Sequence, residues 1–224
     1  MTRRILITGA SRGIGLACAQ WLARTEAAHL VLLGRDEAAL AASAASVRED
    51  GGTAETHAAD VTDRGALSAL ARKVGPLDGL VAAAGISGMT PVDRDSDAFF
   101  DAILATDLAG PWNTVRAFLP AMGPGGRIVL VSSVLGRFGV PGYGAYCAAK
   151  HGLIGLAKAL ALELIDRGIV VNAVAPGWVD TDMAQTGIRQ IAAATGQTEA
   201  QFRAQAEAAV PVKRFFQPEE IAHG

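Results

Sequence analysis

Cysteine is scarce: Cys18 and Cys147 are the only two in 224 residues. Both fall in stretches of helical composition, so a disulfide framework is not expected and a reducing cytoplasm is the natural setting. Cys147 reads as a small packing residue, with a redox role suggested only by its neighbour Tyr146. Excess charge is missing too. Twenty Lys and Arg against 22 Asp and Glu leave a formal net charge of -2, which argues against a nucleic-acid partner held by a basic face. There is no long hydrophobic run at the start, where the apolar stretch after Arg4 ends at Thr8-Gly9, too short for a signal-peptide core or a membrane span. The four histidines (His29, His57, His151 and His223) lack ligand spacing, so no metal site is expected. No repeat, charge block or low-complexity linker divides the chain, and a single domain over residues 1–224 is expected.

What the chain does contain is a rhythm. Short apolar runs at 4–8, 29–33, 53–58, 80–83, 127–132 and 169–174 alternate with Ala-rich helical stretches at 14–25, 37–49, 64–74, 99–119 and 146–166. Continuous apolar strands are those covered on both faces, so the pattern predicts an α/β fold: a doubly wound parallel sheet with right-handed crossovers. Glycine and proline clusters at 51–52, 75–76, 123–126 and 176–177 mark the junctions. Residues 181–220 break the rhythm with a helix-like stretch at 197–209. An excursion there, near the carboxyl edge of the sheet, reads as a substrate lid or as a hairpin that only covers core.

Ile5-Leu6-Ile7-Thr8 runs into Gly9-Ala10-Ser11-Arg12-Gly13-Ile14-Gly15, and a helix opens behind it. A strand–glycine turn–helix corner lets backbone approach a pyrophosphate whose charge meets the helix N-terminus. The second strand ends in Gly34-Arg35-Asp36. A carboxylate at that point holds ribose hydroxyls, whereas Arg accommodates a 2′-phosphate. Arg35 together with Arg12 favours NADP(H); a one-position shift placing Asp36 on the ribose would favour NAD(H). Asp60, after the third strand, is either an acceptor for an adenine amino group or a turn or N-cap aspartate.

Tyr146-Cys147-Ala148-Ala149-Lys150 places a phenol and an ammonium four residues apart, on one helix face. A free phenol with a pKa near ~10 is a poor acid or base at neutral pH, and a nearby cation favours the phenolate. A shift of ~3 units corresponds to about 4 kcal/mol of differential stabilisation.

The glycine turn, Ser133 thirteen positions before Tyr146, Tyr146-x-x-x-Lys150, and the stretch from Val171 to Thr181 occur in one order. Together they resemble the short-chain dehydrogenase/reductase family over nearly the whole chain, in the manner of its 3-oxoacyl reductase-like ketoreductases. The resemblance implies a Rossmann-like fold, a nicotinamide cofactor and hydride transfer between a secondary alcohol and a ketone. It also implies a small-molecule carbonyl or alcohol substrate and a homodimer or homotetramer. Catalytic roles fall to Ser133, Tyr146, Lys150 and Asp107, with Ser133 chosen over Ser132 by the family's spacing. Cofactor contacts fall to Gly9, Ser11, Arg12, Gly13, Ile14, Gly15, Arg35, Asp60, Val61, Ala84, Gly85, Pro176, Gly177, Val179 and Thr181, besides Tyr146 and Lys150.

Three departures accompany the resemblance. Ala82-Ala83-Ala84-Gly85 stands where the family has Asn-Asn-Ala-Gly. Asp107 stands in place of the tetrad asparagine; it reads either as a carboxylate near Lys150 that opposes deprotonation of Tyr146 or as a solvated helix aspartate. The segment from Lys213 to Ala222 resembles the lead-in to one more helix and a final strand, yet the sequence stops at Gly224, so a sheet lacking its last strand is expected. Trp178, Met183, Phe202, Phe215 and Phe216 are candidates for an apolar substrate wall, with core packing as the simpler reading. A nucleotide-binding sensor or scaffold without chemistry is the competing function.

Overall fold

The computed structural model describes residues 2–223. Six strands form one fully parallel sheet in the order β3-β2-β1-β4-β5-β6. They are β1 Arg4–Thr8, β2 His29–Gly34, β3 Thr53–Ala58, β4 Leu77–Ala82, β5 Met122–Val131 and β6 Val170–Val174. The helices between them are α1 Gly13–Glu26, α2 Glu37–Glu49, α3 Arg64–Ala71, α4 Asp97–Leu104, α5 Gly110–Phe118 and α6 Gly144–Leu164. After β6 come α7 Asp182–Thr195, α8 Glu199–Ala209 and α9 Pro218–His223. The expected single-domain, doubly wound parallel architecture is therefore observed.

Why the strands are continuously apolar is visible in their neighbours. Ile5, Ile7, Leu30 and Leu32 pack on one face with Ala19 and Ala23 of α1 and Leu40, Ala44 and Val47 of α2. The alternate residues Leu6, Val31 and Leu33 pack on the other face, with Leu67 of α3, Phe118 of α5 and Leu153 and Leu160 of α6. Each fully buried Leu or Ile contributes about 1.5–3 kcal/mol, so two filled faces hold the sheet between helical layers. The strand order reverses between β1 and β4, and the crevice outside the carboxyl ends of the strands there is where such sheets bind ligands.

Several boundaries differ from expectation. The stretch 99–119 is not one helix. It divides into α4, a π turn over Ala105–Ala109, and α5, where Pro111 cannot donate a backbone N–H. The glycines at 123–126 lie within β5, where the pairing jumps from Leu77↔Met122 to Gly79↔Arg127, and not at a chain reversal. Helix α7 was absent from the expected elements, although Thr181 caps its start through Ala184 N–H and Gly196 closes it at φ +69°. Among the described residues the sheet's edges are β3 and β6, the latter with Val170 exposed; Gly224 lies outside them.

Candidate active site

At the crevice, Gly9 adopts φ +67°, and a Cβ there would lie 2.8 Å from Ala84 Cα. Glycine thus lets the first turn press against the segment after β4. That segment is tied back by Thr8, whose Oγ1 accepts from the Ala83 and Ala84 N–H groups at 3.2 and 3.1 Å. The tie holds the β1 and β4 tips together where Ala82 and Ala83 offer no amide side chains.

One cleft runs from this turn across the strand tips. Gly9, Ser11, Arg12, Gly13, Ile14, Gly15, Arg35, Asp60, Val61, Ala84, Gly85 and Thr181 all line it, as expected. Leu33, Ala59, Ile86, Thr106 and Asp182 line it as well and were not anticipated. Leu33 and Ala59 adjoin named strand-tip residues, a signal that was there to use; nothing in the local sequence singles out Thr106. Pro176, Gly177 and Val179 are not part of that lining. They follow β6 beside the end of β5, where Val134 N–H donates to the Pro176 carbonyl at 2.9 Å.

The polar groups at the far end of β2 separate cleanly. Asp36 caps α2 by accepting from Ala39 N–H at 3.0 Å and does not line the cleft. Arg35 does line it, is 66% exposed, and stands 3.8 Å from Asp60. Asp60 Oδ1 accepts from both the N–H and the hydroxyl of Thr62 at 2.8 Å, which makes it a turn aspartate that also faces the cleft. The N-cap of α3 is Asp63.

At the other end the cleft reaches a buried polar cluster through Gly85 and Ile86. Asp107, in the π turn, is fully buried, which excludes the solvated alternative. Its Oδ1 accepts from Ile86 N–H at 2.8 Å, and its Oδ2 lies 3.0 Å from Lys150 Nζ. A Cβ on Gly85 would sit 2.9 Å from that Oδ2, so glycine there makes room for the carboxylate. Lys150 also donates to the Val131 carbonyl at 3.1 Å, and its Nζ lies 5.4 Å from the Tyr146 ring centre. Ser132 is engaged elsewhere, donating to the Lys150 carbonyl at 2.9 Å. Ser133, whose Oγ accepts from Leu135 N–H at 3.2 Å, is close enough to the Tyr146 phenol to favour its ionised form.

The electrostatics of this cluster set several groups against one another. Burial pushes the Tyr146 phenol above its ordinary value; Lys150 and Ser133 draw it down, Asp107 pushes it up, and the balance is upward. Lys150 therefore does not by itself yield a readily ionised tyrosine. Burial also works against the Lys150 charge, but Asp107 and Tyr146 outweigh it and hold the ammonium above the usual lysine value. Asp107 is raised by burial, with Lys150 and the Ile86 N–H pulling the other way.

The excursion after β6 has its own core. Trp178 stacks on Phe215 at 4.9 Å and meets Phe202 edge-on at 6.2 Å, over Ala184, Ile188 and Ala206. These aromatics pack on one another, as the simpler reading had it. Only Met183 of the candidate wall lines the cleft, beside Thr181 and Asp182 at the start of α7. Phe216 instead forms an isolated bridge with Val179.

A family profile described as short chain dehydrogenase matches residues 3–201. The chain is 36% identical over 224 residues to the 2-(S)-hydroxypropyl-CoM dehydrogenase 3 of Xanthobacter autotrophicus, covering 97% of this chain and 86% of that protein. It is 35% identical over 220 residues to the 3-oxoacyl-[acyl-carrier-protein] reductase FabG of Rickettsia conorii, covering 97% and 85%. The crystal structure of a single-site variant of actinorhodin polyketide ketoreductase with NADPH superposes with a TM-score of 0.93 at 33% identity, covering 99% of this chain and 88% of that one.

Proposed function

The chain belongs to the short-chain dehydrogenase/reductase family and is an NAD(P)-dependent oxidoreductase acting on CH–OH groups; from that premise we propose that it reduces a ketone, of the 3-oxoacyl type, with NADPH. The observation that carries the reading is the grouping of Ser133, Tyr146 and Lys150 beside Asp107, which accepts from the N–H of Ile86 at the end of the glycine-lined cleft.

The cleft fits a dinucleotide. The glycine turn brings the N-terminus of α1 to its wall, with no acidic residue in the helix's first turn to repel a pyrophosphate. Arg12 and Arg35 suit the 2′-phosphate of NADP(H), and the capping role of Asp36 removes the carboxylate that would favour NAD(H). Val61 and Asp60 flank the adenine end, and Pro176, Gly177, Val179 and Thr181 border the nicotinamide end. When bound, the nicotinamide supplies the hydride for the carbonyl carbon, or accepts it from the alcohol carbon.

The chain's own residues do the rest. Tyr146 gives a proton to the carbonyl oxygen in reduction and takes it back in oxidation. Ser133 donates a hydrogen bond to the same oxygen, where negative charge develops. Lys150 orients the phenol and reaches the nicotinamide ribose. Thr181, Asp182 and Met183 make α7 a lid over the cleft, within an excursion of residues 181–220.

Loss of NADPH absorbance with a panel of β-keto esters, run in parallel with NADH, tests this. The expected outcome is turnover that prefers NADPH. A protein that binds NADPH but consumes none with any ketone would be the scaffold of the competing reading.

A further inference from the structure

The buried cluster holds a carboxylate to which the proton transfer from Tyr146 described above gives no role. Asp107 accepts a backbone N–H at one oxygen, and its other oxygen, which has no hydrogen bond of its own, lies 3.0 Å from the Lys150 ammonium. An arrangement that only asks the carboxyl to accept suits its ionised form. The other partner of the Lys150 ammonium is the Val131 carbonyl, which is neutral. Asp107 therefore places a carboxylate 3.0 Å from the buried Lys150 ammonium that faces Tyr146. We propose that Asp107 is a positioning residue that neutralises Lys150, so that Tyr146 keeps its proton and the site serves ketone reduction over alcohol oxidation at neutral pH.

The inference rests on the reductase reading and deepens it. In reduction the proton passes from the Tyr146 hydroxyl to the ketone oxygen, leaving a phenolate that solvent reprotonates; the competent form is the phenol. In oxidation the competent form is the phenolate. A lone ammonium beside the ring favours the phenolate; an ammonium paired with a carboxylate presents little net charge and favours it far less. The overall equilibrium between ketone and alcohol is untouched. What moves is the pH range over which each direction finds its competent tyrosine.

The groups that face the Tyr146 hydroxyl from each side agree with this. On α6 these are Lys150 and Cys147; just before it, Tyr143; on the π turn, Asp107; after β5, Ser133. Burial opposes ionisation most strongly, and Asp107 adds to it. His151, one turn on, is exposed and hydrogen-bonded to the Cys147 carbonyl.

The chain has two tyrosines, Tyr143 and Tyr146, which makes a direct titration practical. In the Tyr143→Phe protein the near-ultraviolet tyrosinate band reports Tyr146 alone, without cofactor or substrate, while circular dichroism follows the fold. Its midpoint is expected above the free phenol value of ~10. Adding Asp107→Asn, which preserves an acceptor for Ile86 N–H, is expected to lower the midpoint by about one unit or more. In kinetics, the alkaline limb of kcat/KM for reduction moves down with it, and oxidation gains at neutral pH. A midpoint unmoved or raised by Asp107→Asn overturns the proposal. Should that variant not fold, Asp107→Ser carries the same expectation. Should neither fold, a midpoint at or below ~10 in the Tyr143→Phe protein is itself contrary and one above it supportive. Failure of the unmutated protein to consume NADPH with any ketone would instead defeat the reductase reading and leave the titration result standing.

Discussion

Two carboxylate–cation pairs in this protein have the same separation and opposite surroundings. Asp107 and Lys150 meet at 3.0 Å with side chains 0% and 6% exposed; Asp180 and Arg203 meet at 3.0 Å with side chains 30% and 32% exposed. The first sits beneath the candidate catalytic tyrosine. The second ties α8 to the segment before α7, with Gln185 and Glu207 completing the network. Burial lifts the carboxyl of Asp107, while hydrogen bonds from Arg203 hold Asp180 below its ordinary range. Distance alone does not fix what an ion pair does; water decides whether the pair is a constraint or a clasp.

Breaking the buried pair from one side gives the largest effect. Lys150→Met leaves the Asp107 carboxyl without its cation and is expected to cost about 3–5 kcal/mol, or on the order of 10 °C in melting temperature for a domain of this size. The double variant Lys150→Met/Asp107→Leu should recover much of that loss, because the burial penalty leaves with the charge. A double variant no better than the single one in thermal melts would contradict the contrast. Neither protein is expected to turn over substrate.

A third cation, Arg35, has neither a burial constraint nor a close partner, its nearest carboxylate being 3.8 Å away. Arg35→Ala is expected to raise the NADPH KM roughly tenfold or more, the loss of one charge-assisted bond of about 1.5–3 kcal/mol, and to leave NADH little changed. An equal change for both cofactors would remove Arg35 from the phosphate site.

How far the sequence disclosed all this depends on whether a feature is local. The glycine turn, Arg35 and the Tyr146–Lys150 spacing are short-range patterns; the first two line the cleft and the third puts Lys150 Nζ 5.4 Å from the Tyr146 ring centre. The parallel, doubly wound class follows from alternating strands and helices, whose apolar runs fill both faces; the strand order itself is not written in that alternation. The break in 99–119 was half legible, since Gly110-Pro111 announces it, but the π turn that buries Asp107 depends on long-range contacts with Ile86 and Lys150. The net direction for Tyr146 was illegible for the same reason: Lys150 is one helical turn away, whereas burial and Asp107 come from the tertiary fold. Helix α7 is marked in the sequence by its cap, Thr181, and its closing glycine, Gly196, yet is not among the expected elements.

The smallest effects belong to the exposed pair. Arg203→Met is expected to cost no more than about 1 kcal/mol. The pH dependence sharpens the contrast. Because the folded Asp180 carboxyl titrates below its unfolded value, its contribution is present above ~3.9 and is lost as pH falls through the lower folded value. Melting curves of the wild type and Asp180→Asn should therefore converge on acidification below pH ~4; curves that stay parallel would contradict it.

The central claim is that the Tyr146 hydroxyl carries the proton to a ketone beside bound NADPH. Its most direct measurement is the rate of NADPH consumption with a β-keto ester by Tyr146→Phe, alongside NADPH binding by fluorescence. The account predicts a fall of about 10³-fold in turnover with binding retained; wild-type turnover from the phenylalanine variant would contradict it.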